Sequence, residues 1–337
     1  DTKDMLMAGK TLPGVYGASS PRMNVADLRT KGWEASVTWG DSFTLASKPF
    51  NYRIMAGIGD NTSKVTKYDN PNRTLTDPYE GQQLGEIWGY VVDGYFKTDE
   101  EARNYKVDQS FVNQMINASA LDNGLHAGDL KFVDLDGNNK IEQTTSANDR
   151  KDMKVIGNSL PRYNYNFGIS ADWYGIDFSV LFQGIGKQNW YPGAETSMFW
   201  GPYSRPYASF IPSDFMSQVW SEENTNAYFP RPRGYVALGS NRELAVVNTK
   251  YLQNLAYCRL KNLSIGYTLP DKWLSKIGFE KIRVYFSGEN LLTFTKLHSD
   301  YIDPEQASAS NSWKTSKSDA NIYPWAKTYS FGVDITF

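Results

Sequence analysis

The sequence predicts an all-β protein: an arc of a large antiparallel transmembrane β-barrel, about eight strands in this chain, with long extracellular loops. Three observations point there. The chain ends on a strand that alternates apolar and polar to its last residue, the same alternation recurs along the chain, and the connections alternate short and long. In Tyr329-Ser-Phe-Gly-Val-Asp-Ile-Thr-Phe337, residues Tyr329, Phe331, Val333, Ile335 and Phe337 share one face and Ser330, Gly332, Asp334 and Thr336 the other, because successive side chains of a strand point to opposite sides. Chain ends usually fray into water. A strand that closes an outer-membrane barrel is instead apolar toward lipid, polar toward the lumen and paired to its end.

The elements follow in order. A weak strand lies near residues 2–8, and a long loop runs to about residue 31. Trp33, Ala35, Val37 and Trp39 then alternate with Glu34, Ser36, Thr38 and Gly40, and Tyr52, Ile54, Ala56 and Ile58 with Arg53, Met55, Gly57 and Gly59. Six apolar positions, Tyr163, Tyr165, Phe167, Ile169, Ala171 and Trp173, interleave with Asn164, Asn166, Gly168, Ser170 and Asp172. Ile176, Phe178, Val180 and Phe182 continue the pattern, with Leu181 the one violation on the polar side. Leu263, Ile265, Tyr267 and Leu269, then Ile282, Val284 and Phe286, complete it ahead of the terminal strand. A strand of about ten residues tilted by about 40° rises roughly 25 Å, the height of an outer-membrane apolar band.

Connections 42–48, 174–175 and 270–280 are short, whereas 61–160, 187–257 and 296–327 are long. Short turns on one side and long loops on the other are the arrangement of a membrane barrel, and a β-sandwich has no reason to segregate its loops in this way. An even strand count leaves the C-terminus on the periplasmic side. Faces rich in Gly, Ser, Asn and Thr do not fill the narrow interior of an eight-stranded barrel, so a wider barrel is expected, with further strands before residue 1.

Composition agrees. The 337 residues carry 22 Tyr, 17 Phe and 10 Trp with a formal net charge of −2, and the mean hydropathy is negative. That mixture suits strands with one wet and one apolar face and aromatic belts at two interfaces; it also suits a secreted carbohydrate-binding β-protein. The charge balance gives no reason to expect a nucleic-acid partner. One cysteine, Cys258, excludes a disulfide framework and a multi-thiolate metal site. Two distant histidines, His126 and His298, supply little for histidine-based catalysis. No apolar run is long enough for a transmembrane helix, and residues 1–9 show neither signal-peptide order nor a lipidation motif, so an export signal is expected upstream.

Several segments together resemble the C-terminal part of the SusC/RagA-type TonB-dependent outer-membrane transporters. They are Arg29-Thr-Lys-Gly-Trp-Glu-Ala35, residues 81–96 with Thr98-Asp-Glu-Glu101, residues 128–141 with Asn148-Asp-Arg150, Ile156-Gly-Asn-Ser-Leu-Pro161, residues 259–270, residues 284–294, Asp303-Pro-Glu305 and the terminal strand. The resemblance covers essentially all 337 residues. It implies a 22-stranded barrel of which residues 1–337 are the C-terminal portion, a plug and TonB box upstream, a SusD-like surface lipoprotein as lid, and TonB and outer-membrane lipid as further partners. The implied activity is energy-coupled import of a bulky nutrient, an oligosaccharide first and a peptide second, without covalent chemistry. A passive porin-like barrel remains the other membrane reading.

Three groups of residues are candidate sites. Asp134, Asp136, Asn138, Lys140 and Glu142 space oxygen ligands as in the first half of a calcium loop; Asn139 stands where a glycine is usual, Thr145 where the closing carboxylate belongs, and Asp149 is the nearest replacement. The competing reading is a turn that satisfies its own backbone, so a Ca²⁺ cofactor is possible and none is required. Trp190, Tyr191, Phe199, Trp200, Tyr203, Tyr207, Phe210 and Trp220 crowd a proline-stiffened loop with Arg205, either as a stacking platform for ligand or as that loop's own core. Tyr329, Phe331 and Phe337 are assigned to barrel closure and assembly. The loop carboxylates Asp93, Asp99, Glu100, Glu222, Glu223 and Glu305 read as solvated faces, because sequence spacing in loops cannot set a catalytic separation.

Overall fold

The computed structural model describes residues 1–8, 14–17, 21–113, 124–204, 210–232, 234–239, 242–274, 278–307, 317–318 and 323–337. Eight strands form one antiparallel sheet: β1 (Thr2–Ala8), β2 (Arg22–Leu45), β3 (Lys48–Lys67), β4 (Arg162–Trp173), β5 (Ile176–Lys187), β6 (Tyr257–Thr268), β7 (Lys281–Thr295) and β8 (Thr328–Thr336). They pair in chain order from β1 to β8. Among the described residues β1 and β8 are each bonded on one side only, so the sheet is an open arc.

All the apolar faces identified in the sequence fall on the same side. Register runs Tyr329, Gly288, Leu263, Val180, Ile169, Ile54 and Trp39 across seven strands, and Val333, Val284, Tyr267, Ile176, Trp173, Phe50 and Phe43 in a second row. A one-residue slip anywhere would carry half of each row to the opposite face. Phe167 and Phe182 stack at 4.7 Å on this belt, and Phe286 meets Phe331 at 5.2 Å. The belt has no protein cover: Phe331 is 83% and Phe337 82% exposed. So much contiguous apolar surface marks an interaction with lipid or protein.

The other face is polar and borders a hollow of about 890 Å³ beside Glu34, Asn164, Asn166 and Gln183. There Arg283 of β7 reaches over β6 to Asp177 of β5 at 2.8 and 2.6 Å, and also donates to Asp334 of β8. Gly266 lets it pass, since a Cβ at that position would lie 2.5 Å from Asp177 and 2.6 Å from Arg283.

Short connections join the strands at one end of the sheet. Tyr174 and Gly175 at φ 50° and 86°, and Ala46 and Ser47 at φ 49° and 63°, make two-residue hairpin turns of the primed kind, whose twist matches the strands they join. The long connections leave the opposite end and pack together. Their main core includes Tyr90, Leu130, Phe132, Ile141, Trp190, Trp200, Phe229, Tyr251, Leu297 and Ile302, none of them on the eight strands. Short ladders pin these segments: Glu86–Tyr90 pairs with Met153–Asn158, Val92–Tyr95 with Leu130–Phe132, and Asn189–Pro192 with Gln253–Asn254. The Thr98 capping box opens a helix over Asp99–Arg103. Thr98 accepts from the Glu101 amide, and Glu101 accepts from the Lys97 amide. Its Ala102 packs with Phe96 and Leu125, so this element belongs to the packing of the loops themselves. No described helix is long and apolar enough to cross a membrane.

Candidate functional site

The aromatic loop is a core. Trp190, Tyr191 and Trp200 are 0% exposed, Tyr203 1% and Phe199 2%; rings so enclosed offer no face to a ligand. Of the two readings, stacking platform and loop core, burial favours the core: Phe199, Trp200 and Tyr203 pack against Phe215, Phe229 and Tyr251, Tyr191 lies on Trp200, and Trp190 belongs to the same buried cluster. Their polar ends are satisfied internally. The Trp200 indole donates to the Gly193 carbonyl at 3.0 Å, Tyr203 to the Pro230 carbonyl at 2.6 Å and Tyr191 to the Leu244 carbonyl at 2.8 Å. Burial pushes the Tyr191 and Tyr251 phenols well up, which keeps them neutral donors. Arg205 and Tyr207 lie outside the described residues.

Other rings reach the surface beside this core. Phe210 and Tyr301 are 40% and 47% exposed and meet edge-on at 4.7 Å. Tyr301 borders a cleft of about 80 Å³ together with Asp214, Gln218, His298, Ser299 and Asp300. His298 stacks on Tyr228 at 3.5 Å and donates from Nε2 to Gln218 Oε1 at 2.8 Å, and the Gln218 amide leans toward Asp214 at 3.4 Å. Burial against its neighbours holds the His298 imidazole below its ordinary pKa, with Asp300 opposing that shift and Lys250 adding to it. Sequence reading placed Phe210 in the aromatic loop but missed Tyr301, which stands on a different loop.

The acidic loop folds as a turn and draws in a carboxylate the spacing did not indicate. Asp134 accepts from the amides of Gly137 and Asn139 at 2.7 Å, Asp136 from Asn138 at 3.1 Å, and Asn138 from Lys140 at 2.8 Å. Asn139 takes the left-handed φ of 62°, a conformation asparagine tolerates. Ligand oxygens of Asp134, Asp136 and Asp152 lie within 4.8 Å of one another. Asp152 is fully buried and accepts from the amides of Leu135 at 2.8 Å and Glu142 at 2.7 Å. Burial raises its pKa, and the charges of Asp136 and Asp134 add to that. Glu142 turns to Lys151 at 3.4 Å, and Asp149 bridges Ser146, neither joining the trio. Three convergent carboxylates fit a hard cation, with Asp152 in the closing place anticipated for Asp149; the Thr145 position supplies nothing.

Tyr329 and Phe331 lie on β8 and pair with Gly288 and Phe286 of β7, leaving the far edge of β8 unbonded among the described residues. Phe337 follows the strand and packs on Phe279 at 5.4 Å.

No family model matches the chain. Individual relatives do. TonB-dependent receptor P3 of Formosa agariphila is 27% identical over 355 residues, spanning 100% of this chain and 31% of that receptor. The TonB-dependent receptor SusC of Bacteroides thetaiotaomicron is 21% identical over 338 residues, spanning 100% of this chain and 29% of SusC. The chain is similar over its whole length to TonB-dependent receptors, SusC among them. Among solved structures, the RagAB peptide importer in its open-open state superposes with a TM-score of 0.66 at 20% identity, over 99% of this chain and 31% of that one; the RagAB peptide transporter gives 0.65 at 19%, over 99% and 32%. These likenesses establish the fold, an arc of a large β-barrel. The chain spans about a third of the length of the curated relatives it matches.

Proposed function

We propose that this chain is the C-terminal barrel portion of an outer-membrane importer, with a plug and TonB box upstream, that takes up a bulky nutrient by TonB-dependent transport. The observation that carries the reading is the coincidence of whole-length similarity to TonB-dependent receptors with an uncovered apolar belt around an eight-stranded arc. The belt supports lipid contact, with the loops outside and the C-terminus in the periplasm. The packed loops support a docking surface for a SusD-like lipoprotein lid. Passage would follow capture between loops and lid and withdrawal of the plug by TonB. Binding and conformational change suffice for that, and the loop carboxylates need no catalytic role.

An oligosaccharide is the favoured cargo because the loop surface sets exposed rings beside hydroxyl-accepting side chains. Peptide import is the second reading; the RagAB likeness bears on fold and leaves the cargo to the loops. In the same proposal the Asp134, Asp136 and Asp152 trio is a place where Ca²⁺ would rigidify the loop.

The test is uptake by cells carrying the full-length receptor as their one route for a given glycan. Deleting TonB should abolish uptake, and so should deleting the cognate lipoprotein. Undiminished uptake without TonB would mean a passive barrel.

A further inference from the structure

We infer that the cleft beside Tyr301 is a subsite for one neutral sugar ring, with Tyr301, backed edge-on by Phe210, as its apolar side and Asp214, Gln218 and Asp300 as its hydroxyl-binding rim. This rests on the oligosaccharide reading above and assigns it a place.

Four observations converge. First, Phe210 and Tyr301 are exposed and in contact next to a core that encloses Trp190, Tyr191, Phe199, Trp200 and Tyr203, so an aromatic face is open to solvent beside the cleft. A pyranose has apolar C–H faces that lie well against an aromatic ring, and its hydroxyls project from its edges. Second, a cleft of about 80 Å³ is too small for a whole sugar. It admits a hydroxymethyl or hydroxyl substituent while the ring rests outside on Tyr301.

Third, the polar atoms at the cleft are held in place. Gln218 is gripped between His298 and Asp214 at 2.8 and 3.4 Å, and His298 is clamped on Tyr228 at 3.5 Å. Planar amide and carboxylate groups set beforehand lose little entropy on binding. Fourth, among the described residues the cleft is lined by two carboxylates, Asp214 and Asp300, and by no lysine or arginine. Carboxylates accept hydroxyl protons and repel sulfate or uronate, which selects a neutral glycan over an anionic one.

The site also spans two long connections, the one containing Phe210, Asp214 and Gln218 and the one containing His298, Asp300 and Tyr301. A ligand bridging them would couple capture to the position of both loops. Arg259 on β6 anchors the second at Asp303, two residues beyond Tyr301.

The experiment uses the full-length receptor in detergent with an array of neutral oligosaccharides, followed by titration calorimetry with the hexaose that binds. Tyr301→Ala and Phe210→Ala should each weaken binding about 10-fold, the order expected for one aromatic stacking contact. Tyr301→Phe should retain affinity. Tyr174→Ala, an exposed tyrosine at the opposite end of the sheet, should change nothing. Near-ultraviolet circular dichroism confirms that each variant keeps its loop core. Glycan binding untouched by both alanine variants would overturn the cleft assignment and leave the transport reading standing. Failure of every neutral glycan, with a peptide library binding instead, would overturn both the cleft assignment and the oligosaccharide reading on which it rests.

Discussion

Arg259 on β6 and Asp303 in the last long loop hold each other at 2.6 Å, with side chains 3% and 5% exposed. The same guanidinium donates to Glu305 at 2.6 Å and to Thr293 at 2.9 Å, and the second Asp303 oxygen accepts from the Trp325 amide at 3.1 Å. One arginine thus ties a loop to the barrel wall. Removing one partner of a buried pair leaves the other uncompensated, at a cost of about 3–5 kcal/mol. Asp303→Ala should therefore free residues 296–307 to protease in the folded receptor. Arg259→Lys should not restore protection, because an ammonium cannot reproduce the fork that serves three acceptors.

Trp200 sits at the centre of the loop core, edge-on to Phe199 at 4.8 Å and to Tyr251 at 5.2 Å. Trp200→Ala should destabilise the loop region by about 3–5 kcal/mol and loosen Gly193, whose carbonyl it holds. The barrel, whose strands do not share this core, should keep its own thermal transition. Differential scanning calorimetry of the receptor should show the loop transition fall while the barrel transition stays.

His298 gives the loops a dependence on pH. Burial lowers its pKa in the folded state from 6.5, so the unfolded chain binds more protons as pH falls between the two values. Its contribution is then full above about 6.5 and is lost as acidification passes through that value toward the folded one. Protection factors of the Tyr228 and Phe229 amides, taken against the intrinsic exchange rate at each pH, should be lower at pH 5 than at pH 8, and His298→Gln should flatten the difference.

Asp152 has the opposite sign. Its folded pKa lies above 3.8, so its charge costs stability at neutral pH, and that cost is relieved as pH falls through the raised value. A divalent cation would relieve it as well. Millimolar Ca²⁺ at pH 7 should raise the loop transition, by about 2.7 kcal/mol at a hundredfold excess over Kd, and Asp152→Asn should remove the increment. No shift in the parent protein would leave Asp134 and its neighbours as a self-satisfied turn.

The eight strands were legible because each keeps the period of two where one face is apolar. The outer halves of β2 and β3 were not: Arg29, Thr30 and Lys31 pair with Lys64, Ser63 and Thr62, and with successive positions polar the period of two disappears there. The aromatic cluster could be seen in the sequence but its burial could not. Trp200 is enclosed by Phe229 and Tyr251, contacts that only the folded loops create. For the same reason Tyr301 gave no sign of meeting Phe210. Asp152 was hidden because it lies beyond Asp149, outside any calcium-loop spacing from Asp134, and only the folded loop brings the two together.

The barrel assignment is tested most directly by single cysteines placed from Tyr165 to Asp172 on β4 of the full-length receptor, with Cys258 replaced by serine, in liposomes containing brominated lipid. Fluorophores at 165, 167, 169 and 171 should be quenched by the lipid, and those at 166, 168, 170 and 172 by aqueous iodide. Quenching without a period of two, or with lipid reaching the even positions, would contradict a membrane barrel whose apolar belt faces the bilayer.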